Sequence, residues 1–259
     1  SSLQNGVSVI TGGPGTGKTT IINTIIKIFE NNGFATAIAA PTGRAAKRIT
    51  ETSGYEASTI HRLLDYYYSE GEDTMRLGKN SEDPLQYDVI IIDEASMIDI
   101  LLMNGLLSAI KPGTRLIVVG DADQLPPVGA GNVLRDMIDS EMINSFKLTE
   151  IYRQAKESLI VVNAHKINKG EYPECNEKDK DFFLLREKNE KEMLETIKAL
   201  CVRRLPKYYK GCDAMRDMQV LTPIRRGLLG SINLNKELQH VLNPPSEDRA
   251  EKAFGDKIF

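Results

Sequence analysis

Up to about residue 149, short apolar runs alternate with stretches whose apolar residues recur at helical spacing. The runs at 7–11, 35–39, 89–92 and 116–119 read as β-strands. Val89, Ile90, Ile91 and Ile92 are apolar without a break, as a strand covered on both faces must be. Between the first two runs, Ile21, Ile22, Ile25, Ile26 and Phe29 mark one face of a helix that stops at Asn31, Asn32 and Gly33. This alternation predicts an α/β domain over 1–149, a parallel sheet flanked by helices. Ligands of such sheets sit beyond the carboxyl ends of the strands, so the loops after Thr11, Ala39, Ile92 and Val119 are expected on one face. Residues 65–86 interrupt the pattern with Tyr66, Tyr67 and Tyr68, then turn residues, then alternation; a small hairpin insertion and a surface loop both fit.

After Thr149 the composition changes, and 174–180 is polar and linker-like. Runs at 182–185 and 218–221 read as strands, and 190–209 and 231–242 as helices, so a second α/β domain is expected over 150–259. The charged run 187–195 reads as a solvated helix face.

A chain of 259 residues accommodates two such domains, and its net charge of -3 excludes a uniformly basic surface. Contact with nucleic acid would have to come from a local groove. Cys175, Cys201 and Cys212 are too few and too irregularly spaced for a zinc site or a disulfide framework, and they read as reduced thiols of a cytoplasmic protein. No apolar run approaches the roughly 20 residues that span a bilayer, and no basic segment followed by an apolar signal region opens the chain. The expectation is a soluble protein with no membrane partner. Both ends read as cut, since Ser1 stands just before the first strand and Phe259 falls where an apolar segment begins.

Chemistry enters with Gly12-Gly13-Pro14-Gly15-Thr16-Gly17-Lys18-Thr19-Thr20, which fits the phosphate-binding pattern GxxxxGK[ST] and sits between the first strand and the first helix. Backbone N–H groups of Gly13 to Thr20 would cradle a nucleoside triphosphate, Lys18 would reach its outer phosphates, and the Thr19 hydroxyl would hold Mg²⁺. Asp93 and Glu94 end the buried strand; Asp93 is read as a metal ligand and Glu94 as the group that polarises water, although an acidic pair there also serves as a helix N-cap. Gln124 follows the next strand in Gly120-Asp121-Ala122-Asp123-Gln124-Leu125-Pro126-Pro127, where it would face the γ-phosphate and the water while the prolines stiffen the chain.

In order along the chain stand GGPGTGKTT, APTGRAAKR at 40–48, STIHRLL at 58–64, DEASM at 93–97, GDADQLPPVGAG at 120–131 and LTEIYRQ at 148–154, with VLTPIRRG at 220–227 later. Together they resemble the motifs of superfamily 1 DNA helicases, in the RecD-like and TraA-like group that includes the exodeoxyribonuclease V alpha subunit and moves 5′ to 3′. The resemblance implies a RecA-like P-loop NTPase sheet followed by a second, incomplete RecA-like domain, with ATP and Mg²⁺ as cofactors. It implies single-stranded DNA contacts at Pro41, Thr42, Arg44, Thr59, His61 and Arg62, and a duplex-splitting hairpin over 66–76. Arg153 resembles the arginine that reaches the γ-phosphate across the interdomain cleft, making hydrolysis depend on closure. Thr222 and Arg225 are read as a second DNA-backbone contact, matching Thr42 and Arg44 because each set stands between a strand and a helix.

Helicases of this group carry an adenine-binding glutamine well upstream of the phosphate loop, and Gln4 lies too close to it for that role. Their later motifs have no counterpart before Phe259, so this chain is expected to bind ATP, to hydrolyse it slowly and not to unwind duplex. The expected partners are single-stranded DNA and duplex junctions, with nuclease or recombination subunits for a complex-bound protein and a monomer for a free one. Two other readings stay open: an ATPase subunit of a nuclease complex without helicase activity, and a P-loop NTPase for which DNA is irrelevant.

Overall fold

In the computed structural model, which describes residues 5–68, 75–150, 157–177, 179–244, 253–254 and 257–258, the expected alternation forms in order. Strand β1 (Val7–Gly12) leads to α1 (Lys18–Asn31), β2 (Thr36–Ala40) to α2 (Gly43–Ser53), and β3 (Ser58–Thr59) to the short α3 (Ile60–Leu63). The pair β4 (Tyr67–Tyr68) and β5 (Met75–Arg76) follows. Then come β6 (Val89–Ile92), α4 (Ile100–Ala109), β7 (Arg115–Gly120), α5 (Val133–Asp139), β8 (Asn144–Leu148) and α6 (Leu159–Asn168). By its internal contacts the chain divides into two compact units, Ser1–Phe183 and Leu184–Phe259, so α6 belongs with the sheet that precedes it.

The six strands of the main sheet run in the order β3-β2-β6-β7-β1-β8, and every pairing in it is parallel. Successive side chains of a strand face opposite ways. Ile90 and Ile92 therefore join Val9, Leu116 and Val118 in a core closed by Leu102, Met103 and Leu106 of α4 and Leu134 of α5. Val89 and Ile91 point to the other side, where Ile10, Ile38, Ile117 and Val119 meet Ile22, Ile25, Ile26 and Phe29 of α1 and Ala46 and Ile49 of α2. The unbroken apolar run of β6 thus reflects two cores, and each fully buried Ile contributes about 1.5–3 kcal/mol relative to exposure.

Two strands of the main sheet were not expected. β3 has only two residues and exists through its pairing with Ala39 and Ala40, and β8 is an edge strand whose sequence Asn144-Ser145-Phe146-Lys147-Leu148 is mostly polar. β8 is held by register with β1, Gly12 opposite Leu148. In the 65–86 region Tyr67 pairs with Arg76 and Tyr68 with Met75, antiparallel, while 69–74 lie outside the described residues.

The second unit is mainly helical among its described residues. Glu190–Ala199 runs through a π-helical turn at Leu200–Arg204 into Leu205–Tyr208, and Ser231–Leu242 packs beside it, with Leu194, Cys201 and Leu234 buried. Lys198 joins the helices through Glu195 at 2.9 Å and Glu237 at 3.3 Å. The strands expected at 182–185 and 218–221 do not form. Phe183, Leu184, Leu185 and Leu221 remain exposed, because an apolar run becomes a strand only where a neighbouring strand takes its hydrogen bonds. The only strand pair described in this unit is the antiparallel Ala253–Phe254 with Lys257–Ile258. Among the described residues no helix is long and apolar enough to cross a membrane.

Ile91 is fully buried at the centre of the sheet. Ile91→Ala is expected to lower unfolding stability by about 2–5 kcal/mol, read as a reduced urea midpoint at unchanged slope.

Candidate functional site

Parallel pairing brings the loops after β1, β6 and β7 to one edge, where Thr11 stands opposite Gly120 and Ile92 opposite Val118. They line a cavity of about 760 Å³, together with one face of α2 and one face of α6. Residues 13–20, Asp93, Glu94 and Gln124 all reach it, so the four sequence segments expected to share chemistry include three that share a single cavity.

The phosphate loop leaves β1 at Gly12 and enters α1 through Gly17, whose φ of 83° is left-handed and suits glycine alone without strain. Its N-cap offers no side chain, which leaves the first N–H groups of α1 to an anion. The Lys18 ammonium donates to the Gly12 carbonyl at 2.6 Å and to the Gly13 carbonyl at 3.0 Å, and the Thr16 hydroxyl donates to Gly13 at 2.8 Å. A positive charge is thereby fixed at the mouth of the loop.

Across the cavity, burial pushes the Asp93 carboxyl above the usual carboxylate range, while Glu94 N–H, Lys18 and Arg48 pull it back. Asp93 Oδ1 accepts from the Glu94 N–H at 2.8 Å. Glu94 has a φ of 54°, a left-handed backbone that costs a non-glycine residue on the order of 1–3 kcal/mol. That turn is stabilised by the Asp93 bond and by the Met97 N–H donating to the Glu94 carbonyl at 3.2 Å, and it sets both carboxylates on the cavity wall.

Gln124 is placed by a shaped loop. Buried Asp121 accepts from the Asp123 N–H at 3.0 Å, its carbonyl accepts from the Gln124 N–H at 3.2 Å, and the Thr11 hydroxyl accepts from the Ala122 N–H at 3.2 Å. Ser96, in the turn after Glu94, donates to Gln124 Oε1 at 3.2 Å. The turn that carries the carboxylates is thus hydrogen-bonded to the amide beside them.

The donor set suits one particular kind of cation. Among the described residues there is no cluster of three or more His, Cys, Asp or Glu that could hold a metal. Asp93 and Thr19 both line the cavity, and one carboxylate with one hydroxyl fits Mg²⁺, which uses one or two protein ligands and takes the rest from phosphate and water.

Six of the residues assigned to DNA lie elsewhere on the same edge. Thr42 caps α2 by accepting from the Ala45 N–H at 3.3 Å, and Thr59 caps α3 by accepting from the Arg62 N–H at 3.1 Å. β3 pairs with β2, Ala40 opposite Thr59, so Pro41, Thr42 and Arg44 stand beside Thr59, His61 and Arg62 at adjacent strand ends. The His61 ring lies 4.9 Å from that of Tyr66, and Arg44 and Arg62 are exposed. In the second unit the Thr222 hydroxyl donates to the Leu229 carbonyl at 2.8 Å and Arg225 is exposed, but no strand precedes them. Arg153 lies outside the described residues.

Four participants were given no role from the motifs. Arg48, the last residue of APTGRAAKR, and Thr52 reach the cavity because positions 45, 48, 49 and 52 share a face of α2, a spacing readable in the sequence once that helix is placed. His165 and Asn168 come from α6, a helix remote in sequence, with no local signal to mark them.

A family model described as an AAA domain matches residues 1–130. The chain is 41% identical over 236 residues to the ATP-dependent RecD2 DNA helicase of Deinococcus radiodurans, covering 91% of this chain and 30% of that protein. It is 37% identical over 161 residues to the RecBCD enzyme subunit RecD of Mycolicibacterium smegmatis, covering 53% of this chain and 28% of that protein. The crystal structure of Pif1 helicase from Candida albicans is similar with a TM-score of 0.49 and 26% identity, covering 66% of this chain and 42% of that one. The chain spans less than a third of the length of the two curated relatives, at 30% and 28%.

A carboxyl whose pKa is raised on folding stabilises the fold while protonated, and this contribution is lost as pH rises through the raised value. For Asp93 the direction is upward. Asp93→Asn keeps the acceptor for Glu94 and removes the charge, so its melting temperature is expected to match wild type in acid and exceed it near neutral pH. Melting curves across pH check this, and a variant less stable than wild type at neutral pH would contradict it.

Proposed function

The chain belongs to the AAA-domain family, in its RecD-like helicase branch, and on that premise we propose that it is the ATP-binding part of a DNA helicase motor. The motor couples ATP hydrolysis to 5′ to 3′ translocation on single-stranded DNA, with Ser1–Phe183, α6 included, as its first motor domain and Leu184–Phe259 belonging to the second. One observation carries the reading: the phosphate loop, the Asp93-Glu94 turn and Gln124 meet in one cavity, on the edge whose next strand ends bear Thr42 and Thr59.

In this reading Lys18 and the loop amides bind the β- and γ-phosphates, and Thr19 and Asp93 would hold Mg²⁺, which would supply positive charge against the phosphates. Glu94 accepts the proton of the attacking water. Gln124 orients that water, and Ser96 fixes the Gln124 amide. Arg153 supplies charge to the γ-phosphate. Pro41, Thr42, Arg44, Thr59, His61, Arg62, Thr222 and Arg225 contact the DNA backbone, and the hairpin over 66–76 meets the duplex junction.

The similarity to a RecBCD subunit favours a second form of the same reading, in which the parent protein works in the cytoplasm with nuclease or recombination subunits rather than as a monomer.

Single-stranded DNA is expected to raise ATP turnover by the full-length protein, and Lys18→Ala to reduce that turnover by about 10²-fold or more. Turnover indifferent to DNA would favour an NTPase with another substrate. Arg225→Ala should weaken single-strand binding and lower the slope of log affinity against log salt by about 0.7–1. An unchanged slope removes Arg225 from the DNA contact.

A further inference from the structure

His165 of α6 rests on the phosphate loop. A Cβ built on Gly13 would lie 2.6 Å from His165 Cε1, so the ring occupies the space that a side chain at Gly13 would need. His165 Nε2 lies 3.3 Å from the Pro14 carbonyl oxygen. A carbonyl can only accept, so Nε2 carries the proton.

The loop's first three carbonyls are thus engaged in turn. Gly12 and Gly13 accept from Lys18 and Thr16, which belong to the loop and the first turn of its helix, and Pro14 accepts from a residue 151 positions away. The Pro14 bond matters because Pro14-Gly15 is the pair that a tight turn can adopt in two ways. Pro has its φ locked, whereas Gly takes positive or negative φ at little cost, and rotating the peptide between them interconverts type I and type II turns. Gly15 has a φ of 75°, the type II value. In a trans peptide the C=O and the next N–H point to opposite sides, so holding the Pro14 oxygen on His165 also sets the direction of the Gly15 N–H.

The platform that carries His165 is fixed. Ser158 caps α6 and donates to Asp181 at 2.5 Å, and the Leu159 N–H donates to the same carboxylate at 2.7 Å. Fully buried Asn163 exchanges two hydrogen bonds with the Glu174 backbone, at 2.6 and 2.8 Å, and Lys166 pairs with the Glu174 side chain.

We propose that His165 is a positioning residue of the nucleotide site, which selects the Pro14-Gly15 peptide orientation that receives a nucleoside triphosphate. The proposal rests on the nucleotide-binding part of the function above and is independent of its DNA part. A loop orientation that serves ground state and transition state alike changes KM and leaves kcat in place.

The test uses a fluorescent mant-ADP titration of wild type, His165→Ala, His165→Gln and His165→Phe, with melting curves to confirm folding, and ATP kinetics of the same variants in the full-length protein. One lost neutral hydrogen bond predicts about 3–10-fold weaker mant-ADP binding for His165→Ala. His165→Gln, which carries a donor to a similar reach, should recover most of the loss, and His165→Phe, which covers Gly13 without a donor, should not. KM for ATP should rise in the same ratio with kcat unchanged within about two-fold. Wild-type affinity in His165→Ala, equal weakness in His165→Gln, full recovery in His165→Phe, or a fall in kcat at constant KM would each overturn the proposal. Wild-type turnover indifferent to DNA would sink the helicase reading and leave the mant-ADP comparison standing.

Discussion

Everything at the site depends on the parallel ladder that seats β1 between β7 and β8. Parallel strands end at the same edge, so the register of Thr11 with Gly120 sets where the phosphate loop begins relative to the loop that carries Gln124. A slip of one residue would turn Ile10 and Val9 to the wrong faces and exchange two buried cores, which is why the register is strongly specified. The Thr11 hydroxyl bonded to Ala122 then ties the two strand ends together beyond the ladder itself. Rigid strands thus position groups carried on loops.

Within that frame the site is a balance of charges in a partly buried place. Asp93 is held against burial by the Glu94 N–H, Lys18 and Arg48, and its raised pKa records that the balance is incomplete. A bound divalent cation is the natural complement of such a carboxylate, since it favours the ionised form that burial disfavours. The left-handed backbone at Glu94 is a second local cost at the same turn. Strain and an under-compensated carboxylate together at one cavity are what a catalytic role leads one to look for, and under the proposed reading both serve the water and the metal.

Much of the first unit was legible because its signals are local. β6 announced its burial by four consecutive apolar residues, α1 by Ile22, Ile25, Ile26 and Phe29, and the phosphate loop by glycines whose positions have steric reasons. β3 and β8 were not legible, since two residues and a polar edge have no periodicity of their own and become strands only by pairing with β2 and β1. The converse occurs at 182–185 and 218–221, where apolar runs of the right length find no paired strand among the described residues. Strand propensity describes a surface that suits a sheet, and the sheet must be there to use it.

The chain's own order of residues determined which groups exist, which face of each long element is apolar, and that an anion-binding turn joins the first strand to the first helix. Those properties depend on neighbours within a few positions, where spacing alone decides geometry. Only the tertiary structure decided that Ser96 would hold Gln124, that Arg48 would face Asp93, and that His165 would lie on Gly13. Each joins elements from different parts of the chain, and His165 stands 151 positions from the carbonyl it meets. Such contacts follow from how helices pack on a sheet, which no local pattern encodes.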